Sequence, residues 1–167
     1  HDGNYLVSMT CPMPGITTDM IGWWFWWHPQ ADERYQSWFP GEHFSISYAK
    51  KDKAYFQQKT VPAFRPNTQF PVERIGGQRM PLRIDFVTPE DFGFEKRKMD
   101  NNGFPLIVCG HVGVFRGVIW HTEMAHMFRQ EADELSGSPF FVFQAFQCAF
   151  FDGTVGAERR HYSWKIQ

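Results

Sequence analysis

Four tryptophans fill five consecutive positions in Trp23-Trp24-Phe25-Trp26-Trp27, and no regular element can turn them all toward one core. A helix advances about 100° per residue and a strand alternates its faces, so such a run spreads its rings around the backbone. Taken alone, the run reads as an ordinary buried helix. Followed by His28-Pro29, Arg34-Tyr35, Trp38 and Pro40-Gly41-Glu42-His43, it reads as an aromatic wall beside histidines. An aromatic ligand, or a metal held in an apolar pocket, requires such surroundings.

The 167 residues, 43% hydrophobic and 18% aromatic, suffice for one core, so a single domain over residues 1–167 is expected. A net charge of −1 with scattered Lys and Arg argues against nucleic acid, whose binders carry a basic patch or stripe. The clusters Lys50-Lys51-Asp52-Lys53 and Lys96-Arg97-Lys98 read as solvated loops or strand ends. No run approaches the roughly 20 apolar residues that span a bilayer, and no signal-peptide pattern opens the chain. A soluble, cytoplasmic protein without membrane partners is therefore expected, with a homodimer possible. The first residue is His1, which suggests a truncated or processed N-terminus. Cys11, Cys109 and Cys148 lack CxxC spacing and read as reduced, buried thiols.

Turn residues divide the chain into an α+β order. A strand is expected over residues 5–12, then a helix N-capped near Thr17-Thr18-Asp19 that runs through Trp27 and is interrupted by Pro29. A second short helix over residues 32–38 ends at Pro40-Gly41. Extended segments follow at 43–48, 69–75, 81–87, 106–115, 118–128 and 140–151, punctuated by Gly76-Gly77, Asn101-Asn102-Gly103, Arg116-Gly117 and Ser136-Gly137-Ser138-Pro139. The glycines at 110, 113 and 117 fit a sheet bending around a cavity and form no dinucleotide fingerprint. His111 reads as a satisfied strand histidine. With no GxSxG elbow and no cysteine in a nucleophile motif, covalent catalysis is not expected.

Pro14-Gly15-Ile16-Thr17, the run at 23–29, Arg34-Tyr35-x-x-Trp38-x-Pro40-x-x-His43, Val72-Glu73-x-Ile75-Gly76 and Pro89-x-x-x-Gly93-Phe94 occur in one order. With a weaker echo in His126-Met127-Phe128-Arg129, this order resembles the 2,4-diacetylphloroglucinol hydrolase family, which includes phloretin hydrolase. The resemblance fades beyond about residue 150. It implies a Bet v1-like helix-grip fold, a curved antiparallel sheet around a deep aromatic pocket. The closing C-terminal helix would be short or absent, since Gly153 and Gly156 suit a long helix poorly. It also implies zinc, one ion per chain, and hydrolysis of a carbon–carbon bond between an acyl group and a phenolic ring. The substrate would be an acylated phenol or a related β-dicarbonyl polyketide of secondary metabolism.

In that family zinc is held by a His and a Glu from the first half of the chain, matched by His43 and Glu73, and by a His and a Glu on the closing helix. The second pair has no clear counterpart. Glu158 and His161, three apart, are substitutes if they share a helical face, and otherwise a surface Glu and His. Strand alternation offers His121 and Glu123 on one side, with His126 on the other, or else a solvent-facing pair. His126 matches a family position that moves a proton, and Tyr35 one that hydrogen-bonds a substrate oxygen. Trp24, Trp27 and Trp38 would hold the ring, with His28 in a supporting role at the helix end. The competing expectation is a pocket without metal, acting as a polyketide cyclase or isomerase or as a binder of aromatic small molecules.

Overall fold

A computed structural model of the protein describes residues 4–132 and 139–150, with side chains at 8–120 and 122–129. In chain order the elements are β1 (Asn4–Pro14), α1 (Thr18–Trp27), α2 (Asp32–Trp38), β2 (His43–Ser45), α3 (Lys53–Phe56), β3 (Thr68–Gln69), β4 (Val72–Ile75), β5 (Gln78–Val87), α4 (Pro89–Phe92), α5 (Lys96–Asn101), β6 (Leu106–Val114), β7 (Ile119–Ala132) and β8 (Pro139–Phe150). Short helices with antiparallel strands make the class α+β. No described helix is long and apolar enough to cross a membrane. The chain forms two compact units. Of the described residues, one holds 4–16, 87–110, 121–132 and 139–150; the other holds 17–86 and 111–120.

In the first unit the strand order is β1-β8-β7-β6. The β1–β8 and β7–β8 registers run without a bulge, from Asn4↔Phe150 to Pro14↔Phe140 and from Thr122↔Ala149 to Ala132↔Pro139. Side chains therefore alternate strictly along this part of β7, and Glu123 and His126 belong to opposite faces. Phe92, Phe94, Met99, Ile107, Cys109 and Met127 are core members. Cys109 is fully buried, but Cys11 is only half-buried. The expectation of buried thiols is thus corrected for Cys11, and the Cys148 side chain lies outside the described residues.

Two helices in this unit replace expected loop or strand ends. In α4 the Thr88 hydroxyl accepts from the Asp91 amide at 3.0 Å, Pro89 opens the helix and Gly93 closes it at φ 110°, the combination that starts and stops a short helix. In α5 the Lys96-Arg97-Lys98 cluster is helical because its lysines meet acids one turn away. Lys98 pairs with Glu95 at 2.6 Å and Lys96 with Asp100 at 2.7 Å.

In the second unit β5 pairs with β4 and β4 with β2, while β3 also pairs with β5. Gly76 and Gly77, at φ 58° and 81°, close the β4–β5 hairpin between paired Ile75 and Gln78. A two-residue loop that follows the strand twist needs both φ values positive, which glycine supplies without a steric penalty. The expected strand over 69–75 divides at Pro71, which has no N–H for the ladder. The strand expected over 43–48 stops at Ser45 and resumes only as a bridge of Tyr48 to Gln69.

The Lys50–Lys53 cluster is likewise not a plain solvated loop. It is a 3-10 turn running into α3, and within it Asp52 is buried, accepting from the Thr68 amide at 2.9 Å with Arg65 at 3.8 Å. Nor do the glycines before the β6–β7 turn simply bend a sheet. A Cβ on Gly113 would sit 2.8 Å from Gly117 Cα and 3.0 Å from the Ile119 carbonyl oxygen, so position 113 serves a close backbone approach.

Candidate functional site

The site in the second unit is built by α1, α2 and the β2–β4 pair. Thr17 caps α1 by accepting from the Met20 amide at 3.2 Å, and Ile21 and Phe25, four apart, take the buried face. The tryptophans distribute as the 100° rotation requires: Trp23 is exposed, while Trp24, Trp26 and Trp27 are half-buried. Trp26 donates its indole N–H to the Tyr55 carbonyl at 3.1 Å. Pro29 ends the α-helix in a 3-10 turn over His28–Gln30. α2 then starts with Asp32 and Glu33, acids that suit the positive helix N-terminus. Asp32 also accepts from the Ile46 amide at 2.8 Å, fastening α2 to the end of β2.

Four rings stack in sequence. Trp24 lies on His28 at 5.3 Å, His28 on Tyr35 at 5.7 Å and Tyr35 on His43 at 4.1 Å, with interplanar angles of 26°, 23° and 4°. Trp38 stands edge-on to all four, at 5.4–6.3 Å and 71–88°. Stacked and edge-to-face geometries are those that ring quadrupoles favour. Trp27 stacks instead on Trp23 at 4.9 Å, with the Arg34 guanidinium 4.6 Å over its ring. Phe39, which sequence reasoning passed over, meets the His43 ring edge-on at 5.9 Å.

His43 and Glu73 are direct cross-strand partners in β2 and β4, so two residues 30 apart in sequence become neighbours. Tyr35 engages both. Its carbonyl oxygen lies 3.2 Å from His43 Nδ1, and its hydroxyl donates to Glu73 Oε1. A carbonyl only accepts, so Nδ1 carries the proton and, in the neutral ring, Nε2 keeps the lone pair. Burial raises the Tyr35 phenol well above its ordinary value, and the Glu73 carboxylate beside it adds to the effect. The proton therefore stays on Tyr35 and the bond to Glu73 is one of donation.

A neutral imidazole Nε2 and a carboxylate are donors that zinc accepts, and a ligating His ordinarily gives its other N–H to a carbonyl or carboxylate. His43 and Glu73 fit that pattern as a partial set. Among the described residues no group of three or more His, Cys, Asp or Glu gathers for a metal ion. Of the other expected ligands, the His121 side chain, Glu158 and His161 lie outside the described residues, and Glu123 belongs to the first unit.

Two histidines are held neutral. His28 is 2% exposed and donates from Nδ1 to the Trp24 carbonyl at 2.7 Å. Burial outweighs that bond and, with a smaller push from His43, brings its pKa to about 4. His126, on β7 of the first unit, is half-buried as a residue, and desolvation of its ring also brings it to about 4. Between pH 4 and about 6.5 the unfolded chain binds a proton at each histidine that the native chain does not, so stability rises with pH across that window. We expect a slope of up to about 1.4 kcal/mol per pH unit for each histidine, measured as urea unfolding free energy against pH. A flat profile there would show that both rings titrate as they do in the unfolded chain.

Comparison with known proteins bears on this arrangement. Residues 1–147 match the family model described as the DAPG hydrolase PhiG domain. Phloretin hydrolase of Eubacterium ramulus is 32% identical over 114 residues, covering 65% of this chain and 40% of that protein. A 2,4-diacetylphloroglucinol hydrolase of Pseudomonas protegens is 30% identical over 131 residues, covering 72% and 40%. The chain thus spans about 40% of the length of the curated relatives it matches.

Proposed function

This chain belongs to the DAPG hydrolase PhiG domain family, and on that premise we propose that it serves hydrolysis of a carbon–carbon bond between an acyl group and a phenolic ring. The observation that carries the reading is the His43–Glu73 pair, placed across β2 and β4 and tied through both partners to Tyr35. His43 Nε2 and the Glu73 carboxylate would hold zinc as two of its ligands. Zinc, when bound, lowers the pKa of a water and polarises an acyl carbonyl. The fold expected to enclose the site is the Bet v1-like helix grip, and the expected substrate is an acylated phenol or a β-dicarbonyl polyketide.

Such a cleavage needs a proton delivered to the ring carbon and a water attacking the acyl carbon. Tyr35 has one hydroxyl proton, already engaged in its hydrogen bond to Glu73, so Tyr35 would meet a substrate phenol as acceptor through its remaining lone pairs. Trp24 and Trp38 offer ring faces and edges that hold an aromatic substrate and exclude water. His126 is the proposed proton carrier. Its ring is neutral at physiological pH, so it enters the cycle as a base and becomes an acid only after taking a proton. His126→Gln should retain zinc while turnover falls by about two to four orders of magnitude. Loss of zinc with turnover preserved per bound metal would instead make His126 a ligand.

A second reading has one observation in its favour: one oxygen of Glu73 is engaged by the Tyr35 hydroxyl. In that case the chain would bind or isomerise an aromatic polyketide through the rings alone. Elemental analysis of protein purified without chelator separates the two. Stoichiometric zinc supports hydrolysis, and metal-free protein that turns over its substrate sinks it.

A further inference from the structure

We propose that Tyr35 is the positioning residue of the metal pair, fixing both His43 and Glu73 before any metal arrives. This deepens the hydrolase reading and rests on it. Three contacts of one side chain and its backbone carry the inference. The Tyr35 carbonyl accepts from His43 Nδ1 and so selects the tautomer whose Nε2 lone pair is available. The Tyr35 ring lies parallel to the His43 imidazole at 4.1 Å and 4°, which sets the plane in which that lone pair is directed. The Tyr35 hydroxyl donates to Glu73 Oε1 and so restricts the carboxylate rotamer, leaving Oε2 without that bond.

Tyr35 can hold this post because it is itself immobile. It is 2% exposed and stands in α2, which is tied to β2 through Asp32 and the Ile46 amide. Outer partners of metal ligands of this kind typically govern affinity by 10–100-fold.

The test is a double-mutant cycle on zinc affinity, read by competition with a chromophoric chelator in the absence of substrate. Tyr35→Phe keeps the ring and the carbonyl and removes only the hydroxyl, so zinc should bind 10–100-fold more weakly. In a Glu73→Asp background, which keeps a carboxylate for zinc but draws it back from the hydroxyl, the same change should have little further effect, because the hydroxyl acts through the Glu73 carboxylate. Thermal melts of the metal-free proteins check that each variant is folded. Wild-type affinity in Tyr35→Phe, or an equal loss in both backgrounds, would overturn the proposal while leaving the hydrolase reading intact. Wild-type protein that binds no zinc at all would overturn both.

Discussion

His43→Ala and Glu73→Gln are each expected to release zinc and to lower turnover about a thousandfold, equivalent to roughly 4 kcal/mol of lost transition-state stabilisation. The expectation follows from their adjacency across the β2–β4 pair, which leaves each as the other's only expected co-ligand in this unit. Removing one leaves a site with too few donors to hold the ion at physiological zinc. The two substitutions also differ in what they disturb. His43→Ala removes the end rung of the ring stack, facing Tyr35 at 4.1 Å, whereas Glu73→Gln keeps an acceptor oxygen for the Tyr35 hydroxyl. A modest stability loss in the first, near none in the second and loss of zinc in both is the expected pattern, measured by melting and elemental analysis. Either variant keeping full zinc and full turnover would remove that residue from the site.

The largest expected loss of stability lies one turn from the rings. Phe25 is 4% exposed, and its ring meets Trp38, His28, Phe64 and Phe86 edge-on at 5.7–6.2 Å. Phe25→Ala should cost about 3–5 kcal/mol in urea unfolding, since the rings around it cannot all move to fill the void. Because Phe25 braces the His28–Trp38 side of the stack, zinc and ligand affinity should weaken as well. A cost below about 1 kcal/mol would show that the neighbours collapse into the space.

What could be read from the sequence was whatever local chemistry decides. Thr17, Pro29 and Pro40-Gly41 mark the limits of α1 and α2, and the structure follows them because caps and missing donors act within a few residues. The Thr88-Pro89 start and Gly93 stop of α4 are equally local signals, but they directly follow an apolar run that reads as a strand. α5 was hidden by its charge cluster, whose lysines find acids only when the segment turns helical. The β2 bulge between His43 and Ser45 and the close approach at Gly113 carry no sequence mark, since each depends on a neighbouring strand. His43 and Glu73 were found as candidates by resemblance. The Tyr35–Glu73 bond was beyond reach, because nothing in the spacing of residues 38 apart says that their side chains meet.

The ring stack has a consequence for how this region of the chain acquires its shape. Trp24, His28, Tyr35, Trp38 and His43 all lie within one 20-residue stretch, so closing their contacts spans only short loops and costs little chain entropy. Glu73 is different, for it reaches His43 only across a much longer loop and after the Gly76-Gly77 hairpin has set the register of β4. Local contacts of this kind form fast, and distant strand pairings follow slowly. The aromatic stack is therefore expected to assemble early and to act as a template on which the acid docks late. A chain folding around it would present an ordered histidine before it presents a complete donor pair, so zinc would be captured at the end of folding rather than guide its beginning.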